Sequence, residues 1–169
     1  MTVWNNADGL RVRFPNDDRE AHGGEYPGAG TLRTIEVEFD FANIGTSPTV
    51  LDYNIIVPSN STIQEVVVIS ETAATAATSF DFGLFRLDGT TELDHDGLVN
   101  DILLANLNVN GEQTTITAGA TFAGALVGTE LTRAGLFSAT RTGTAGVGHG
   151  ILQVKVYVKD SAPVPTLVD

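Results

Sequence analysis

Apolar and polar side chains alternate along much of this chain. In Thr34-Ile35-Glu36-Val37-Glu38-Phe39-Asp40-Phe41, the apolar residues Ile35, Val37, Phe39 and Phe41 share one face and Thr34, Glu36, Glu38 and Asp40 the other. This period of two predicts a half-buried antiparallel strand with a wet, acidic face. Residues 50–57 read as a further strand, ended by Pro58. Residues 61–70 carry the β-branched run Val66-Val67-Val68-Ile69, which predicts burial on both faces. Residues 79–87 set Phe80, Phe82 and Leu84 against Asp81, Gly83 and Phe85. Residues 120–127 and 136–141 read as weaker strands rich in small side chains. Residues 152–159 turn Leu152, Val154, Val156 and Val158 inward and Gln153, Lys155, Tyr157 and Lys159 outward.

One stretch has helical spacing. Asp96 is a suitable N-cap, Leu98, Ile102 and Ala105 recur at helical intervals, and Leu103, Leu104 and Leu107 widen the apolar side. Asn106, Asn108 and Asn110-Gly111 would end it, which predicts one or two helical turns across the end of a sheet. The glycine-rich run Gly143-Thr144-Ala145-Gly146-Val147-Gly148-His149-Gly150 lacks a following Lys-Ser/Thr and a following helix, so it reads as a hairpin connection, not a phosphate loop. With no βαβ rhythm, the expected fold is all-β: an antiparallel β-sandwich or jelly roll of about 7–8 strands with one short helix. The 21 threonines suit exposed strand faces. Residues 1–30 differ. They are full of turn signals, with only residues 10–14 alternating, and read as an extended N-terminal arm. The expected organisation is arm 1–30, sandwich domain 31–160 and a flexible C-terminal tail 161–169 marked by Pro163 and Pro165.

Charge adds a direction to this picture. The 169 residues carry a formal charge of −12. Residues 34–132 hold fourteen acids and one base, Arg86, whereas residues 1–33 and 133–169 are nearly balanced. That excess argues against broad nucleic-acid binding, which needs clustered Lys and Arg. No cysteine is present, which removes disulfides, thiolate metal sites and a cysteine nucleophile. The longest apolar runs are too short for a membrane-spanning helix, and no signal peptide is expected at the start.

Candidate chemistry is sparse. His22, His95 and His149 lack metal-ligand spacing and read as loop histidines. Asp88, Glu92, Asp94 and Asp96 concentrate hard oxygen ligands in one region, and Asp94-His95-Asp96-Gly97 has a calcium-loop flavour without the alternating ligands of an EF-hand. The competing reading makes Asp88-Gly89 a hairpin turn and gives Asp94 and Asp96 turn and cap roles. None of the seven serines lies in Gly-x-Ser-x-Gly. A small hydrolase would have to use clustered carboxylates such as Glu92 and Asp94, and no enzymatic activity and no cofactor are expected. On the arm, Trp4 with Arg11, Arg13, Phe14 and Arg19 has the composition of a protein–protein anchor. These five are the candidate contacts with a partner protein or another subunit; the other reading tucks Trp4 over an edge of its own domain.

The opening Val3-Trp4-Asn5-Asn6-Ala7-Asp8-Gly9-Leu10-Arg11-Val12-Arg13-Phe14 resembles the start of a small structural protein of tailed bacteriophages, notably podoviruses of marine bacteria. Gly24-Glu25-Tyr26, Leu32-Arg33-Thr34-Ile35-Glu36, the block from Gly83-Leu84-Phe85-Arg86 through Asp96-Gly97-Leu98, and Gly124-Ala125-Leu126-Val127-Gly128-Thr129 are similar to that family too. The resemblance implies a β-rich virion protein, a head decoration (cement) protein on the outer capsid surface. Its partners would be the major capsid protein and two further copies of itself in a trimer, with no nucleic acid and no membrane. It brings no motif-defined site residues. The alternative function is a carbohydrate- or host-surface-binding module of a head fibre or tail appendage, with Trp4 and Tyr53 the first aromatics to test.

Overall fold

The alternation that starts at residue 31 becomes a sandwich of two antiparallel sheets. The computed structural model describes residues 2–5, 11–14 and 31–159. Near the start, β1 (Thr2–Asn5) and β2 (Arg11–Phe14) pair antiparallel as a two-stranded ribbon. The arm was expected to hold one strand, so β1 is an addition. The body follows with β3 (Thr31–Asp40), β4 (Thr49–Val50), β5 (Ile56–Val57), β6 (Ser61–Thr72), β7 (Ala77–Phe85), β8 (Glu92–Leu103), β9 (Glu112–Thr117), β10 (Glu130–Leu131), β11 (Gly135–Gly143) and β12 (His149–Val158). One sheet runs β3, β12, β6, with β9 and β10 sharing the far side of β6. The other runs β8, β7, β11, with β4 and β5 sharing the far side of β11. Only β7–β8 is a hairpin between long strands. The links from β3 to β4, β5 to β6, β6 to β7, β8 to β9, β10 to β11 and β11 to β12 all cross between sheets. The expected antiparallel sandwich is therefore what the chain forms.

The inward faces match the alternation. Val37, Phe39, Phe80, Phe82, Leu84, Leu152, Val154 and Val156 are all buried. In β6, Val66, Val67 and Val68 are buried and Ile69 half-buried, as a strand covered on both faces requires. Four phenylalanines bolt the sheets together. Phe39 lies 5.0 Å from Phe41 edge-to-face and 5.1 Å from Phe82 of the opposite sheet, and Phe41 lies 4.8 Å from Phe80. Such offset geometries suit the ring quadrupoles.

Five local expectations give way to tertiary contacts. Residues 96–103 are strand, not helix, because β8 pairs with β7 and its register shifts carry both Leu98 and Val99 into the core. The helical turn comes later, as a 3-10 turn at Leu104–Asn106, and a second caps β3 at Phe41–Asn43. Residues 50–57 split into the two-residue pieces β4 and β5. Residues 120–127 form no strand but lie along β8, with Ala123 bridging Val99. Gly143–Gly150 is not a hairpin connection, since β11 and β12 belong to different sheets. β9 was not anticipated, because Ile116 is its only large apolar residue.

Candidate functional site

The carboxylate-rich segment sits on the β7–β8 hairpin, and the local sequence explains its shape. Asp88 closes the turn. Its carboxylate accepts from the Thr90 and Thr91 backbone N–H groups and from the Thr91 hydroxyl, each at 2.8 Å. These three donors favour the anion and pull the Asp88 pKa down to about 2. Gly89 follows at φ +67°, where a side chain would be strained and would also meet the Tyr53 ring. Asp88 is thus a turn residue, the competing reading of the sequence.

Further along β8, Asp94, His95 and Asp96 bring their ligand atoms within 4.8 Å of one another. They lie within a strand, so His95 is not a loop residue, and His149 opens β12. The grouping follows from a bulge. Leu84 pairs with Asp94 and Phe82 with Val99, so β8 spends extra residues opposite Gly83. The backbone of Asp94 and His95 passes so close to Gly83 that a Cβ there would lie 2.1 Å from the Asp94 carbonyl oxygen. Burial raises the Asp94 pKa, helped by a hydrogen bond and charge repulsion from Asp96. Asp96 also accepts from the Asn100 amide at 2.9 Å. Burial likewise raises Asp81, opposed by the Asp101 backbone N–H that donates to it at 2.6 Å and reinforced by the Asp101 charge. Asp101 adopts φ +53° and accepts from the Ser79 hydroxyl at 2.9 Å.

An open recess of about 350 Å³ is lined by Asp81, Glu92, His95, Thr140 and Arg141, among others. Arg141 is occupied with backbone carbonyls, its Nε donating to Ile44 at 2.7 Å and a terminal nitrogen to Gly143. His95 Nδ1 stands 3.9 Å from the exposed Glu92 and 4.0 Å from the half-buried Asp96, and at such partly solvated distances an ion pair contributes little. The Ser79 hydroxyl serves Asp101 and not a histidine. Burial and crowding make the Asp81 and Asp94 carboxyls easier to protonate than free ones.

The sequence-selected contact residues lie elsewhere. Trp4 stands opposite Val12, Arg13 opposite Val3, Arg11 opposite Asn5 and Phe14 opposite Thr2 in the β1–β2 ribbon. Arg19, His22 and the tail 161–169 lie outside the described residues. Of the two aromatics named for a sugar test, Tyr53 is exposed and Trp4 lies on β1. Sequence reasoning missed the groove beside β3, which lies between Glu36, Glu38 and Asp40 on one side and Thr49, Leu51, Asp52 and Ile55 on the other. The acidic alternation of β3 was visible, but its neighbour across the sandwich edge was not.

No family model matches this chain, and no curated protein matches it. Solved structures do. A chain in the capsid asymmetric unit of cyanophage Pam1 is 14% identical, with a TM-score of 0.52 over 87% of this chain and 98% of that one. The fold is shared with a phage capsid chain. A chain of the capsid of Ralstonia phage GP4 (13% identical, TM-score 0.49, covering 89% and 93%) and one of the acidic stable capsid of Helicobacter pylori bacteriophage KHP30 (18%, 0.46, covering 77% and 90%) are also similar.

Proposed function

We propose that this protein is a non-enzymatic structural component of a tailed-phage virion that decorates and cements the outer capsid surface as a trimer. The observation that carries this reading is the fold shared with the Pam1 capsid chain. The match takes in nearly all of both chains, so in that capsid the module stands as a chain of its own. Strand order agrees. Counting each split edge once, the sheets read as the two four-stranded halves of a jelly roll, an architecture common in capsid proteins. Charge supports an outward orientation. Fourteen acids against one base in residues 34–132 would be repelled by packaged DNA on the inner face and are tolerated on the outer one.

In this reading the sandwich domain faces water and the N-terminal arm makes the contacts. Trp4, Arg11, Arg13, Phe14 and Arg19 reach the major capsid protein or a neighbouring copy, with the aromatics as anchors and the arginines pairing with carboxylates. A closed trimer suits a threefold position on a shell. The experiment is co-sedimentation of the purified protein with shells that lack it, beside a version without residues 1–30. The full protein is expected to bind and to raise the temperature at which filled heads release DNA. The truncated protein is expected to keep its circular dichroism spectrum and lose binding. Failure of the full protein to bind any shell overturns the cementing role, and unchanged binding by the truncated form overturns the role of the arm.

A further inference from the structure

Among the described residues, three of the four sheet edges in the sandwich are covered or broken into pieces, and the β3 edge is not. The β8 edge is covered by residues 122–126: the Asn100 N–H donates to the Phe122 carbonyl at 2.9 Å and the Leu126 N–H to Gly97 at 2.8 Å. The edge beyond β11 is broken into β4 and β5, of two residues each. The edge beyond β6 is made of β9, six residues, and β10, two residues. These are the usual ways of blunting a sheet edge. β3 is ten residues long, pairs with β12 on one side, and among the described residues has no strand on the other. Glu36, Glu38 and Asp40 line that strand, and Asp52 joins them across the adjoining recesses of about 360 and 190 Å³. Among the described residues, no cation lines either recess.

We propose that the free edge of β3 accepts β2 of a second copy of this chain as an added strand. Charge selects the occupant. Pairing β3 with the β3 of another copy would set two rows of carboxylates side by side, and like charges directly opposite destabilise a sheet. A fitting strand carries cations at alternate positions. In the whole sequence only Arg11 and Arg13 have that spacing within a strand, and it equals the spacing of Glu36 and Glu38. Added strands draw affinity from main-chain hydrogen bonds and specificity from alternate side chains. Donor and acceptor are different surfaces, so the contact is heterologous and closes into a ring when the rotation allows. The inference does not rest on the virion reading, because it concerns the purified protein alone.

The absence of native cysteine makes the test clean. Arg11→Cys or Arg13→Cys is mixed with Glu36→Cys or Glu38→Cys under mild oxidation, and disulfide-linked dimers are read on a non-reducing gel. At least one mixture is expected to give a dimer that neither variant gives alone, since cross-strand neighbours fall within disulfide reach. Light scattering then follows charge reversal. Glu36→Lys with Glu38→Lys is expected to raise the concentration for half-assembly by roughly tenfold, the effect of two weak pairs, and addition of Arg11→Glu with Arg13→Glu to restore it. Any of three results overturns the proposal: no mixed dimer in any combination, efficient self-linking of Glu36→Cys or Glu38→Cys alone, or a protein that stays monomeric at all concentrations.

Discussion

Phe82→Ala tests the sandwich where its sheets meet. Phe82 is fully buried on β7, and its ring lies 5.1 Å from Phe39 of the opposite sheet. Truncating a buried phenylalanine costs about 3–5 kcal/mol, through lost burial and the cavity left behind. Domains are stable by only about 5–15 kcal/mol, so this is a large fraction of the total. At roughly 2–4 °C per kcal/mol for a domain of this size, the melting temperature falls by roughly 6–20 °C. Phe39→Ala removes the facing ring, and the double variant closes a thermodynamic cycle. Because the rings touch, the two losses should fall short of additivity by about 0.5–1.5 kcal/mol. The lone tryptophan, Trp4, lies in the β1–β2 ribbon, so urea unfolding of the body is followed by far-ultraviolet circular dichroism and not by tryptophan fluorescence. A Phe82→Ala cost under about 1 kcal/mol, or additivity within about 0.3 kcal/mol, would refute the packing of these two rings across the sheets.

Three further outcomes follow from the β7–β8 hairpin. Gly83→Ala should lower the melting temperature more than Gly111→Ala, because the first meets the Asp94 backbone and the second meets nothing within 4 Å, leaving only the strain of its positive φ; equal losses would show that β8 does not press on Gly83. Asp88 has a folded pKa of about 2, below its unfolded value, so its contribution is present above about pH 4 and is lost as pH falls toward 2. The stability difference between the wild type and Asp88→Asn should therefore shrink across that window, and a constant difference in thermal melts would contradict the turn. Asp81 is shifted the other way: its folded pKa is raised, so its ionised form opposes folding at neutral pH and the penalty fades as pH falls through the folded value. Asp81→Asn keeps the acceptor for the Asp101 N–H and should melt higher than the wild type at pH 7, with the gap closing in acid.

How much of this was legible in the chain depends on the range of the deciding interaction. Alternation in β3, β7 and β12 is a local record of one buried and one wet face, and most of the core followed it, although Phe85 on the expected outer side of β7 is buried and Ile35 and Val158 are only half-buried. The acidic excess and the missing cysteines were likewise settled by composition. Where two signals competed, the chain alone misled. Leu98 and Ile102 have helical spacing, but pairing with β7 and a bulge opposite Gly83 satisfy the same apolar residues in a strand. Gly143–Gly150 looks like a hairpin turn because glycine marks any sharp reversal, and nothing local says which sheet the next strand joins. Asp81 and Asp94 are ordinary carboxylates in the sequence; burial and neighbours from other positions on the hairpin raise their pKa values. The open edge of β3 is the plainest case. Its ten alternating residues and their charges were written in the sequence, but an edge is defined by a missing neighbour. Hydrogen bonds between strands distant in sequence decide which strands have neighbours, so only the tertiary structure could show that, among the described residues, β3 has no strand on its outer side.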